Sequence, residues 1–257
     1  MRARPLLNAL LAAAATATLA GCGNRSQMAE PILLSAEGPI AVDVISFNGD
    51  VTVTADPNLP WATIRMKRQA THGFRRHAEA KESLAGIQYS ARIVPGERGP
   101  VLEVRTWTTD KEPWFQRAHV DIQVPTVDGL TIRTSNGTVE AWDIRGTVDI
   151  TSSGGDVQVM TTLLMVQPVT INNTNGDVDY RVRIGSTARF DCHAENGSVD
   201  GRIRHGRFII HNGTNDHTLL ATLNGGTNPV RLTTVNGDIR IAVVKAPTDV
   251  GSWIVTP

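Results

Sequence analysis

Cysteine is nearly absent from this chain, with two in 257 residues, Cys22 and Cys192, too few for a framework of disulfides. Basic blocks are absent as well. Lys+Arg and Asp+Glu are 25 each, and no Lys/Arg cluster exists to displace the counterions of a phosphate backbone, which argues against a nucleic-acid partner. Past the first 21 residues no segment approaches the roughly 18 apolar residues of a membrane-spanning helix. Catalytic signatures are missing too: there is no Gly-x-Ser-x-Gly elbow, phosphate loop, His-Glu-x-x-His or dinucleotide fingerprint. These absences point to no cofactor and to a protein that is not an enzyme.

What the chain does have is a repeat. Asn48-Gly49-Asp50-Val51, Asn136-Gly137-Thr138-Val139, Gly154-Gly155-Asp156-Val157, Asn175-Gly176-Asp177-Val178, Asn196-Gly197-Ser198-Val199 and Asn236-Gly237-Asp238-Ile239 share one pattern, with a degraded copy at Asn224-Gly225-Gly226-Thr227. From Gly137 the next glycines follow at 155, 176 and 197, and the last step, to Gly237, is close to two periods. A period of about 20 residues holding two short strands is the size of a β-solenoid coil. Gly49, Gly137, Gly155, Gly176, Gly197 and Gly237 are the expected corners, because turns of this kind need φ > 0 and glycine reaches it cheaply. Asn-Gly is equally a hairpin signal, so an antiparallel meander or sandwich is the rival arrangement.

Ahead of the repeat, residues 39–130 read as a β region of alternating segments such as Ile40–Ile45, Ile87–Ile93 and Ala118–Val124, interrupted by one short helix between Arg75 and Leu84 that ends near Gly86. Residues 131–257 form the repeat solenoid. The expected fold is therefore all-β, a solenoid of two-strand coils behind an N-terminal β region.

The first 21 residues read as an address. Arg2 and Arg4 precede an apolar run from Leu6 to Ala20, and Leu19-Ala20-Gly21 leads into Cys22. Leu-Ala-Gly-Cys resembles the lipobox of bacterial lipoproteins. That resemblance implies an acylated Cys22 as the new amino terminus, held in a membrane by two or three chains, ample for stable anchoring. Gly23, where Asp would retain the protein in the inner membrane, favours the outer one. Residues 22–38 read as the lipidated cysteine and a tether. Cleavage removes two arginines and no acids, leaving 23 Lys+Arg against 25 Asp+Glu. Cys192 then has no disulfide partner, and the alternation of Phe190, Cys192 and Ala194 makes it a small buried hydrophobe.

With the lipobox, the strand pair around Phe47-Asn-Gly-Asp-Val-Thr-Val, the closing strand Val120-Asp-Ile-Gln-Val-Pro125 and the serial Asn-Gly-Asp-Val units, the chain resembles the bacterial putative-adhesin lipoproteins of unknown function. The resemblance covers about residues 38–244 and brings no catalytic residues. Between 205 and 230 the copies are poor, and the stack is expected to be irregular there.

Few residues invite chemistry. Asp50, Asp156, Asp177 and Asp238 follow corner glycines and would align about 4.8 Å apart in a stack, a geometry open to Ca²⁺. Thr138 and Ser198 hold the same place elsewhere, however, and the Gly-Gly-x-Gly-x-Asp pattern is missing, so turn capping is the reading adopted. His193, His205, His211 and His217 lack the spacing of a zinc motif. Trp107, Trp114 and Phe115 flank an expected hairpin tip, placed there for cross-strand packing. A carbohydrate-active β-helix enzyme would draw on Arg133, Asp143, Arg145, Asp179, Arg181 and Arg183, which otherwise read as solvated strand faces. The function these features favour is a non-catalytic envelope lipoprotein, adhesin-like or a structural scaffold. Its partners are the membrane through Cys22 and an envelope protein or polysaccharide. A periplasmic sensory or regulatory protein is the first alternative and the enzyme the second.

Overall fold

The computed structural model describes residues 24–36, 38–72, 76–203 and 205–249; the leader and Cys22 lie outside them. The chain enters along β1 (Asn24–Met28) and β2 (Ile32–Leu34), then makes a first coil from β3 (Ile40–Ser46) and β4 (Val51–Ala55). An excursion follows: β5 (Ala62–Thr71), helix α1 (His77–Gly86), β6 (Ile87–Gly96), β7 (Gly99–Thr108) and β8 (Gln116–Val124). Four coils come next, β9 (Val127–Thr134) with β10 (Val139–Trp142), β11 (Arg145–Ser152) with β12 (Val157–Thr161), β13 (Val169–Asn175) with β14 (Val178–Arg183), and β15 (Ala188–Asn196) with β16 (Val199–Ile203). Short strands β17 (Phe208–Ile210) and β18 (Thr218–Leu223) precede the last coil, β19 (Pro229–Asn236) with β20 (Ile239–Val244).

Each coil gives its first strand to one ten-stranded sheet and its second strand to another. Successive coils pair in parallel and in register. Val51, Val139, Val157, Val178 and Ile239 form one inward row, and Val42, Leu130, Val148, Val169 and Val230 form the row facing it. Parallel pairing decides for the solenoid over the antiparallel sandwich. It also explains why the coils need one another, since a Val or Ile gains about 1.5–3 kcal/mol only when fully buried and the next coil completes that burial. One continuous apolar cluster runs between the sheets from Ile40 to Val243.

Antiparallel pairs occur at the two ends. β5 pairs with β8, and β6 with β7, beyond the first coil, while β18 runs antiparallel to β15 and β17 to β18 at the far end. The helix ends at Gly86, near where the sequence placed its end, and packs at the first end through buried Ala80 and Leu84.

Two boundaries read from the sequence are not boundaries in the fold. Both sheets cross residue 130 unbroken, because β3 pairs with β9 and β4 with β10. The tether is also largely consumed. β1 pairs antiparallel with β5 from Asn24↔Thr71 to Met28↔Lys67, and β2 continues the edge from Ile32↔Ile64 to Leu34↔Ala62.

The long step to Gly237 has a topological cause. β19 lies between β13 and β15, and β20 between β14 and β16. The last coil in sequence is thus the fifth in space, inserted beneath the coil made before it, and the irregular stretch at 205–230 is the excursion that lets the chain turn back.

Candidate functional site: the Asn-Gly-Asp corner ladder

The corner glycines stack with their backbones almost in contact. A Cβ placed on Gly176, whose φ is +128°, would lie 2.4 Å from the carbonyl oxygen of Gly155. At Gly137, Gly155 and Gly237 the corresponding distances to the glycine below are 2.3, 2.3 and 2.2 Å, and Gly49 would meet the Ala118 carbonyl at 2.5 Å. Gly197 differs in kind. Its φ lies outside the left-handed region, yet its Cβ would sit 1.9 Å from the Gly237 oxygen, so close approach of backbones demands glycine there, whatever the turn type.

Beside this column runs a ladder of side chains. The Asp156 carboxylate accepts the Asp177 backbone N–H at 2.9 Å, Asp177 accepts that of Asp238 at 2.9 Å, and Asp238 accepts both N–H and hydroxyl of Ser198 at 2.8 and 3.0 Å. Asp50 accepts the Thr138 N–H at 3.0 Å and meets the His119 ring at 2.9 Å. Each carboxylate therefore caps the coil stacked on it, and Arg240 spans Asp177 and Asp238 at 3.1 and 3.5 Å. The Ser198 N–H holds the Asp238 carboxyl below its ordinary range, with partial burial working against it and the Ser198 hydroxyl and Arg240 adding to it. The asparagines form a parallel chain: Asn196 donates to Asn236, Asn236 to Asn175, and Asn175 to the Ser153 carbonyl, at 3.0, 2.8 and 2.9 Å.

A third column, inside the corner, escaped the sequence reading. Ser46, Thr134, Ser152, Asn173 and Thr234 are in register and buried. Ser152 donates to the Gly154 carbonyl at 3.0 Å, Asn173 to those of Gly155 and Gly176 at 2.9 and 3.0 Å, and Thr234 to that of Gly176 at 2.9 Å. They give the Gly155 and Gly176 carbonyls side-chain donors, and they add one to the Gly154 carbonyl, which also accepts the Gly137 N–H at 3.0 Å. The available signal was a small polar residue three positions before each corner glycine, replaced by Ala194 only in the 197 coil.

The residues considered for an enzyme do not converge. Arg133 pairs with Asp149 at 3.5 Å and Arg145 with Asp128 at 3.7 Å, and the Asp143 carboxylate accepts the Thr162 N–H and hydroxyl at 2.8 and 2.6 Å. Asp179 and Arg181 are buried, not solvated, and form an ion pair with each other at 2.9 Å from Nε to Oδ1. Arg183 stays exposed. A cleft of about 350 Å³ beside Arg98, Asp128, Thr147 and Gln167 contains no pair of carboxylates for acid–base work. His193 and His211 bond to Thr218 and Thr222 at 3.0 and 2.8 Å, and His217 reaches the Gly197 carbonyl at 2.6 Å; His205 is exposed. Cys192 is fully buried in an inward row beside Leu232, and burial pushes its thiol up, far from the reactive range.

The expected hairpin tip is instead a crossover, since β7 and β8 belong to different sheets. Phe115 packs on His72 at 4.7 Å, while Trp107 and Trp114 remain exposed. Among the described residues, His72, Glu79 and Glu112 are the group whose ligand atoms lie close enough to share a cation, within 4.8 Å. The Arg76 guanidinium already bridges the two carboxylates and supplies the positive charge that a cation would bring.

Residues 119–242 match the family described as Toastrack DUF4097. Among solved structures, a putative cell adhesion protein from Clostridium sporogenes is similar, with 12% identity and a TM-score of 0.55 over 85% of this chain and 99% of that one. A putative adhesin from Bacteroides fragilis is 10% identical, with a TM-score of 0.34 over 85% of this chain and 96% of that one. Comparison with curated proteins returns no match. The first likeness speaks to the fold alone, and it covers more of the chain than the family match does.

Proposed function

We propose that this protein is a non-catalytic, adhesin-like scaffold of the bacterial cell envelope, anchored by lipid on Cys22 and binding envelope or surface components through its repeat faces. One observation carries the reading: the carboxylates of the repeat corners are committed to holding coils together. Asp50, Asp156, Asp177 and Asp238 each cap a neighbouring coil, and Asp179 and Arg181 neutralise each other out of solvent. A flat, extended β surface is left, suited to contact. The solved neighbour named a putative cell adhesion protein supports the same class of role, and the outer membrane is the destination that Gly23 favours.

The enzyme alternative is tested by incubating pure protein with a polysaccharide panel. No new reducing or unsaturated ends are expected, and ends that vanish in Asp179→Ala or Arg181→Ala would overturn the proposal. Protease shaving of intact cells distinguishes an outward-facing adhesin, which is removed, from a periplasmic partner protein, which is spared. Chemical crosslinking followed by pull-down identifies what the surface binds.

A further inference from the structure

We propose that the outer face of the β1–β2 edge lies on the bilayer that holds the Cys22 acyl chains, so that the protein is seated on its membrane and not suspended above it. The inference rests on the lipid-anchor reading of Cys22 and deepens it. Its first support is chain length. Asn24 is already paired with Thr71, and each position through Met28 is paired in turn. Gly23 alone separates Cys22 from Asn24, two residue steps that reach about 7 Å at full extension. A free tether over residues 22–38 would let the body drift; the pairing removes that slack and brings the sheet edge to the headgroups.

The second support is what that edge presents. Along β5, strand alternation puts Ala62, Ile64 and Met66 in the core and Thr63, Arg65 and Lys67 on the opposite, outer face, where Thr63 is covered and Lys67 exposed; Trp61 stands exposed just ahead of the strand. Leu33 lies opposite Thr63 and Met28 opposite Lys67, so both share that outer face. Met28, Leu33 and Trp61 are 60%, 59% and 50% exposed, large values for apolar side chains along one sheet edge. The edge therefore has an acyl attachment at one end and a tryptophan near the other, where an amphipathic ring suits the headgroup level.

Charge agrees with this placement. Lys67 is exposed on the outer face, Arg117 joins it through its pairing with Gln69, and Arg65 is matched by Asp121 at 3.2 Å. Arg25 and Glu30, both exposed on the β1–β2 edge, offset each other. The remaining cationic excess favours an anionic leaflet.

The test uses the acylated full chain reconstituted into phosphatidylethanolamine–phosphatidylglycerol vesicles containing doxyl lipid. An environment-sensitive fluorophore is attached at Leu33→Cys or, as a control at the far end of the stack, at Ile210→Cys, where the native residue is 61% exposed. Both sites are exposed, so neither substitution removes core packing, and circular dichroism confirms folding. A blue shift with several-fold stronger lipid quenching at position 33 than at position 210 is expected. Equal, solvent-like signals from both positions, with mass spectrometry showing acylated Cys22, would overturn the seating and leave the anchor intact. An unacylated Cys22 in membrane-extracted protein would overturn both.

Discussion

Gly176→Ala separates two costs that the corner imposes. Its φ of +128° is a conformation that L side chains rarely adopt, a strain of about 1–3 kcal/mol, and its new Cβ would lie 2.4 Å from the Gly155 carbonyl oxygen. Relieving that overlap requires two coils to part, which we place at about 1–3 kcal/mol by analogy with overpacked cores. Restriction of the unfolded chain returns about 0.4–1 kcal/mol, leaving a net loss of about 2–5 kcal/mol. The β6–β7 turn supplies the control. Gly99 has nearly the same φ, +131°, but nothing within 4 Å of the added atom, so Gly99→Ala carries the strain without the overlap. Gly197→Ala carries the overlap, 1.9 Å from the Gly237 oxygen, without a left-handed φ. Urea melts followed by circular dichroism, with m-values compared to check cooperativity, should rank Gly176→Ala below Gly99→Ala by about 1–3 kcal/mol. If the two lose the same stability, stacking of backbones does not explain the glycines and the turn conformation alone does.

Asp177→Ala removes the acceptor of the Asp238 N–H and the Arg240 contact; we expect a loss of about 1.5–3 kcal/mol from the charged hydrogen bond, a smaller loss for Asp177→Asn, and equal losses in urea melts would refute the capping role. The Asp238 carboxyl titrates below its ordinary range when folded, so its contribution is complete above about pH 4 and disappears as pH falls through the depressed value. Asp238→Asn should flatten the acid limb of a stability–pH curve, and an unchanged limb would show that the Ser198 contact is not felt. Cys192 should resist thiol reagents in the native protein and react fully once unfolded; rapid native labelling would contradict its place in the core row.

The fold was largely legible because the same local physics recurs at each corner. Glycine where backbones touch, a β-branched residue two positions later and alternation along each strand are all local, and a period of about 20 residues exposes them. Two things were not local. Residues 24–27 are polar, and nothing in Asn24–Met28 advertises a partner; the strand character of β1 and β2 comes from the open edge of β5. The aromatic crossover likewise looked like a hairpin because Trp107 and Trp114 flank a turn-rich segment, whereas its strands diverge into separate sheets.

The candidate site was legible in its residues but not in its bonds. The Asp after each glycine was visible as a turn residue, yet its oxygen serves the neighbouring coil and not its own turn, a relation that exists only once coils are stacked. Insertion of the last coil shows the limit most sharply. Gly197 and Gly237 belong to the same motif, and Ser198 and Asp238 offer the same backbone N–H to a carboxylate below. Asp177 could cap either coil by its geometry, and it caps Asp238. The order of stacking is therefore set by what lies outside the motif. β18 occupies the open edge of β15, which leaves the other edge of β15 for β19, and the coil of β15 and β16 can close the stack only with β19 and β20 beneath it.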